Sequence, residues 1–181
     1  KIGYHGWKTW EVNFDDVRVP KENLVGGEEG NGFYQIMDFF EEGRVHTAAR
    51  AVGLARGAIE DSVTYAQERV QFDEPISEFQ AIRFNLADMA TKVEAARALT
   101  LLVADAVDSG ERADAEAAMA KLFASEIAEE VTSEGIQIHG GYGYTTEFDV
   151  ERYWRDARLT RIFEGTSEIQ KRIIADSLLS S

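Results

Sequence analysis

The sequence has no cysteine among its 181 residues, which excludes a disulfide frame, a thiolate nucleophile and a cysteine-ligated metal. Its three histidines, His5, His46 and His139, show no ligand spacing, so no metal is expected. Proline is confined to Pro20 and Pro75, which leaves long stretches open to helix. No apolar run approaches the ~20 residues of a membrane span. Basic residues are also scarce: 19 Lys and Arg stand against 33 Asp and Glu, for a net charge of −14. Nucleic acid and anionic membranes are poor partners for such a chain, because phosphates need a basic footprint. The start is not signal-like and residue 1 is Lys, so a piece of a longer, cytoplasmic, prokaryotic protein is expected. A salty, halophilic cytoplasm would suit the acidity.

What is present, 44% hydrophobic and 29% charged residues, is the composition of a globular protein with one sizeable core. Only Lys1 to Pro20 does not read as helix. Trp10, Val12 and Phe14 alternate with Glu11, Asn13 and Asp15, the period of a half-buried strand, and Val17 and Val19 predict its continuation or a second strand. Two strands make no stable sheet in water. Residues 1–30 are therefore expected to be the end of a β-domain whose other strands lie upstream.

Residues 31–181 read as a helical domain. Val45, Ala48, Val52, Ala55, Ile59, Ser62 and Ala66 recur at three and four along a first long helix, which Gly43 weakens by about 1 kcal/mol relative to Ala. Ser77 and Gln80 have capping-box spacing for a second helix. Its stripe is a near-strict heptad: Phe79, Ile82, Leu86, Met89, Val93, Ala96, Thr100, Val103 and Val107, ending at Ser109-Gly110. A third, about 113–138, is rich in alanine, whose small side chain lets a neighbour approach closely. With a last helix at about 167–179, the spacing predicts a mainly α fold, an up-and-down four-helix bundle behind a short β-segment.

The stretch from Gln137 to Gln170 departs from bundle character. It holds a Gly140-Gly141 turn among aromatics and a helical segment carrying Arg152, Arg155, Arg158 and Arg161. Glu164 follows, set between Ile162-Phe163 and Gly165, with Thr166 and Ser167 as N-cap residues for the last helix and capping-box spacing from Ser167 to Gln170. Desolvation beside apolar groups is one way to make a carboxylate a general base at neutral pH. Equally, a surface Glu near a helix N-terminus is favourable without any catalytic role.

The strings Gly-Gly-Tyr-Gly-Tyr at 140–144, Glu-Arg at 151–152, Arg-Asp at 155–156 and Phe-Glu-Gly-Thr-Ser-Glu-Ile-Gln at 163–170 closely resemble the C-terminal signature of the acyl-CoA dehydrogenase family. Upstream, Asp16 to Leu24 resembles the exit from that family's middle β-domain, and Arg69 begins a turn similar to its Arg-x-x-Phe-Gly-x-Pro, with Asp73 where the family usually has Gly. The resemblance runs from Asp16 to about Ala175. It implies an FAD-dependent α,β-dehydrogenation of an acyl-CoA thioester to the trans-2-enoyl-CoA, in which Glu164 removes the α-proton. It implies cofactor contacts from Arg69, Gln71, Phe72, Phe79 and Gln80, from Gln137, Ile138, His139, Gly140 and Gly141, and from Thr166, Ser167 and Glu168, where relatives often have a neutral residue. Arg69 and Gln137 would touch a neighbouring subunit's FAD in a homo-tetramer, and electron-transfer flavoprotein would accept the electrons.

On the substrate side the resemblance points to Gly43, Arg44, Glu164 and Gly165. Some relatives carry the base at the position of Gly43, which has no side chain to act. Arg44 is the expected substrate-side cation, with an ion pair to Glu41 or Glu42 as its rival fate. An arginine that some relatives carry in the last helix stands here as Asp176. An acyl-CoA oxidase shares the same base, and a non-catalytic helical oligomerisation module shares the same bundle, so both stay open as alternatives. The fragment alone is expected to be inactive.

Overall fold

In the computed structural model, which describes residues 1–180 with Asp38 in its backbone alone, Gly32–Glu68 forms one continuous helix, α1. Its 37 residues make a rod of about 55 Å. Ala48, Val52, Ala55, Ser62 and Ala66 of the expected stripe are buried, and Val45 and Ile59 are partly so. Helix α2 (Gln80–Asp108) buries Met89, Val93, Ala96, Thr100 and Val103, the centre of the heptad. Gly110 then takes φ 81°, and the amides of Gly110 and Glu111 return to the carbonyls of Val107 and Ala106 at 3.0 and 3.1 Å. That Schellman closure needs a left-handed residue, which glycine supplies without strain.

Helix α3 (Asp114–His139) is the hub. It packs against α1 and α2, and also against α4 (Val150–Thr160) and α5 (Ser167–Leu179). Its alanines, Ala117, Ala120, Ala124 and Ala128, are fully or almost fully buried. Gly135 lies so near α1 that a Cβ would stand 3.4 Å from Ala58 Cβ and from Ser62 Oγ. The helical bundle is as expected, with α4 as a shorter fifth helix against α1 and α3. Among the described residues, no helix is long and apolar enough to cross a membrane.

Several local expectations are corrected. No strand forms at Trp10–Phe14 or Val17–Val19: among the described residues before α1 there is only a 3-10 turn, Lys21–Asn23. Trp10, Val12 and Phe14 are exposed. Period-two patterning needs partner strands to complete its ladder, and the described residues offer none there. The two observed strands, β1 (Val70–Gln71) and β2 (Glu74–Pro75), instead make a minimal antiparallel hairpin after α1. The capping box from Ser77 to Gln80 is also absent: Ser77 lies inside a 3-10 turn, Ile76–Glu78, closed by the Phe79 amide on the Ile76 carbonyl at 3.1 Å. Pro75 starts that turn early, so Phe79 occupies the cap position of α2. At α5 the cap is Thr166, whose hydroxyl accepts from the Ile169 amide at 3.4 Å, and Ser167 is already helical.

The hairpin loop consists of Phe72 and Asp73, with φ 55° and 69°. Two positive φ values in a two-residue loop are the type I′ requirement, which favours Gly at the second position. Asp73 thus adopts the left-handed conformation that its side chain tolerates less well than glycine would. Asp73→Gly is expected to raise the free energy of urea unfolding by about 0.5–1 kcal/mol; a fall of that size would show that the Asp73 side chain itself holds the turn.

Candidate functional site

The first cluster forms where α1 passes the loop between α4 and α5. Glu164 and Gly165 have φ 55° and 87°, two left-handed residues in succession. This turn reverses the chain and sends the half-buried Glu164 side chain toward α1, where Oε2 lies 3.1 Å from the place a Gly43 Cβ would occupy. Gly43 therefore matters as space: the carboxylate fills what a side chain would take. Gln170 Nε2 donates to the Glu164 carbonyl at 3.3 Å and to the Gly165 carbonyl at 2.9 Å. Lys121 Nζ donates to the same Gly165 carbonyl at 2.6 Å. Lys121 and Gln170 are both fully buried. Among the described residues the Glu164 amide has no acceptor, whereas those of Ile162 and Phe163 bond to the Leu159 carbonyl.

Burial pushes the Lys121 ammonium down to about 8, against the opposing attraction of Glu164 and Glu168 and with a smaller push from Arg161. Ser167 Oγ and Gln170 Oε1 are buried with no hydrogen-bond partner. Buried polar atoms of this kind ordinarily find one. Both lie in the first turn of α5, the segment where Thr166 and Ser167 are expected to contact the cofactor. Glu168 is exposed.

Arg44 is 7% exposed, and its Nη1 lies 3.3 Å from Asp114 Oδ1 at the start of α3. The expected rival, a pair with Glu41 or Glu42, is not what forms. Glu41 Oε1 instead accepts from the Ala113 amide at 2.7 Å and caps α3, so the arginine is left to Asp114. The arginines of α4 and of the residue after it, Arg161, are likewise used structurally. Arg155 forks onto Glu151 and reaches the Ile2 carbonyl, while Arg158 and Arg161 meet Glu129 of α3.

The second cluster lies at the far end of α1 and α3, about 33 Å from Gly43 if measured along α1 to Tyr65. A cleft of about 500 Å³ is lined there by Arg69, Gln71, Ile138, His139, Gly140 and Gly141, together with Tyr65, Ile76, Tyr142 and Thr145. The structure so brings together six of the expected cofactor residues. Phe72, Phe79, Gln80 and Gln137 are outside its lining; Phe72 and Phe79 meet each other edge to face on the hairpin side. The Arg69 guanidinium lies over the Tyr142 ring, 5.3 Å from its centre. His139 stacks on Tyr65 at 4.2 Å, and its Nδ1 is 2.7 Å from the Gly135 carbonyl. Burial pushes the imidazole below its ordinary pKa, which favours a neutral ring donating from Nδ1.

Sequence reasoning missed Lys121, Gln170, Tyr65 and Tyr142. A signal for Lys121 existed: it shares a helical face with Ala117, Ala124 and Ala128, so a lone cation interrupts an otherwise small, apolar stripe.

Gly140 ends α3 at φ 60° and ψ −136°, a region open essentially to glycine alone, although a Cβ there would meet nothing within 4 Å. Gly140→Ala is expected to cost about 1–3 kcal/mol through backbone strain only. Gly141 has neither a positive φ nor a neighbour within 4 Å, so Gly141→Ala should stay within ~0.5 kcal/mol. Equal effects in urea melts of the two variants would contradict this assignment.

Residues 30–179 match the family model described as acyl-CoA dehydrogenase, C-terminal domain. A subunit of the caffeyl-CoA reductase–Etf complex of Acetobacterium woodii is 46% identical over 99% of this chain and 47% of its own length. The short-chain specific acyl-CoA dehydrogenase of Megasphaera elsdenii is 46% identical over 99% of this chain and 46% of its own. The solved structure of butyryl-CoA dehydrogenase from the same organism superposes with a TM-score of 0.89, at 46% identity, covering 92% of this chain and 43% of that one. The chain spans about half the length of the relatives it matches. With its helical bundle, its Glu164 turn and this level of identity, the chain belongs to the acyl-CoA dehydrogenase family.

Proposed function

We propose that this chain is the C-terminal part of a cytoplasmic FAD-dependent enzyme that interconverts an acyl-CoA thioester and its trans-2-enoyl-CoA, with Glu164 as the base. The observation that carries the proposal is the Glu164 carboxylate filling the space over Gly43, on a turn whose own amide has no acceptor among the described residues. A thioester α-C–H is a weak acid, so the carbonyl oxygen must be held as negative charge develops on it. A free N–H on the residue that supplies the carboxylate can meet that need while the carboxylate takes the proton. Arg44, oriented by Asp114, is the substrate-side cation of this reading.

The cleft at the far end suits FAD. A fixed guanidinium matches a pyrophosphate bidentately, and the Gly140-Gly141 backbone admits close approach. FAD would supply the acceptor for the hydride leaving the β-carbon. Thr166 and Ser167 follow Glu164, whose carboxylate lies beside Gly43, and the cleft lies about 33 Å further along α1, too far for one dinucleotide. A homo-tetramer, in which Arg69 and Gln137 serve a neighbour's FAD, resolves this. Exposed Phe84, Leu101 and Leu102 on α2 give such an assembly an apolar face. Residues 1–30 then complete a middle β-domain that covers Trp10, Val12 and Phe14, and electron-transfer flavoprotein is the redox partner, in keeping with the Etf complex of the Acetobacterium relative.

In the full-length, FAD-loaded enzyme, Glu164→Gln is expected to slow anaerobic flavin bleaching by acyl-CoA by about 10²–10⁴-fold, the usual worth of a positioned base. Rapid bleaching by the variant would remove Glu164 from the role. Light scattering of the same protein at micromolar concentration should report a tetramer; a monodisperse monomer would break the shared-cofactor reading.

A further inference from the structure

The Gly165 carbonyl, immediately after the base, receives two buried donors. One is neutral, Gln170 Nε2 at 2.9 Å, and one is a cation, Lys121 Nζ at 2.6 Å. Lys121 is 0% exposed and, among the described residues, lies in no ion pair within 4.0 Å. An ammonium so placed is costly, because the fold withdraws it from water without bringing a carboxylate into contact with it. A left-handed Glu164-Gly165 turn is strained for Glu164 and persists only where its surroundings fix it. The costly cation and the strained turn meet at one atom.

We propose that Lys121 is a positioning residue: its buried ammonium, acting through the Gly165 carbonyl, locks the left-handed turn and thereby fixes where the Glu164 carboxylate and amide point. The catalytic half of this inference rests on the acyl-CoA reading above; the structural half does not.

The charged groups that face the ammonium are Glu164 and Arg161 from the loop side and Glu168 from α5. The two carboxylates favour the charge and Arg161 opposes it, while burial dominates and brings the group to about 8. The charge-assisted bond to Gly165 is therefore present below about pH 8 and reverts to a weaker amine bond above it. Global stability moves the other way. The unfolded lysine keeps its proton up to about 10.5, so the penalty of burying the charge is fully present below pH 8 and fades as pH rises toward 10.5. A loss of positioning above pH 8 is thus distinguishable from general unfolding.

The test uses the full-length, FAD-loaded enzyme with Lys121→Met and Lys121→Arg. Lys121→Met should keep its FAD and unfold at or above the wild-type temperature, since it removes a buried charge and leaves Gly165 bonded to Gln170. Hydrogen-exchange protection of the bonded amides that follow the turn, those of Ser167, Ile169 and Gln170, should fall roughly tenfold in Lys121→Met at pH 7. In the wild type that protection should decline through about pH 8, and in Lys121→Arg it should not, because arginine keeps its charge. Bleaching by acyl-CoA should slow by about 10–100-fold in Lys121→Met with little change in KM, as expected of a misplaced base. Wild-type protection in Lys121→Met would overturn the proposal, as would a rate loss that merely follows lost FAD. Should Lys121→Arg fail to fold, Lys121→Met alone decides. If no acyl-CoA bleaches the wild-type flavin, the acyl-CoA reading fails while the exchange data still decide the role of Lys121.

Discussion

The close approach of α1 and α3 is the constraint on which the molecule depends. Ala48, Ala51, Ala55 and Ala58 on α1 face a helix whose own contacts are made by Ala117, Ala120, Ala124, Ala128 and Gly135. Side chains this small bring two long helices together along their length, and each end of the pair then becomes a site. At one end the geometry leaves the Gly43 surface open for the Glu164 carboxylate and lets Arg44 reach Asp114. At the other it stacks Tyr65 of α1 on His139 of α3 and closes the cleft under Arg69. A bulkier seam would part the helices and move both sites at once.

Charge is arranged on two scales. Globally the chain is strongly acidic, yet the arginines of the α4 region are largely neutralised by Glu129, Glu126 and Glu151. Most such pairs are partly exposed and individually contribute little to stability. Their effect is geometric: Arg158 and Arg161 tie the loop that carries Glu164 to α3, the helix that carries Lys121. The buried cation sits one layer further in, where water cannot screen it. Positive charge near Glu164 is thereby fixed in place instead of being spread over a mobile surface.

Left-handed backbone recurs where the chain must turn between elements. Gly110 and Gly140 supply it without strain. Phe72, Asp73 and Glu164 supply it at a cost. At Glu164 a glycine would relieve the strain but leave no carboxylate beside Gly43. The surroundings must then fix the turn, and Gln170, Lys121 and the Thr166 cap converge on the residues that follow it.

The helical stripes were legible because periodic burial is a local property: Met89, Val93, Ala96 and Val103 lie on one face whatever packs against them. Glu164, Arg69 and Gly140-Gly141 stood out through the strings around them. The strands expected near Trp10 and Val17 do not form, because a strand is completed by hydrogen bonds to another segment and the described residues hold none for them. The capping box at Ser77 failed for a similar reason, its backbone being satisfied first by the turn after Pro75. The partners of Arg44 and Lys121 lie 70 and 44 residues away, beyond any periodicity. The sequence by itself thus determined which residues form helices and which faces they bury, since those follow from neighbours three and four apart. Only the tertiary structure decided which buried charge meets which carbonyl, because that depends on where separate helices come to rest.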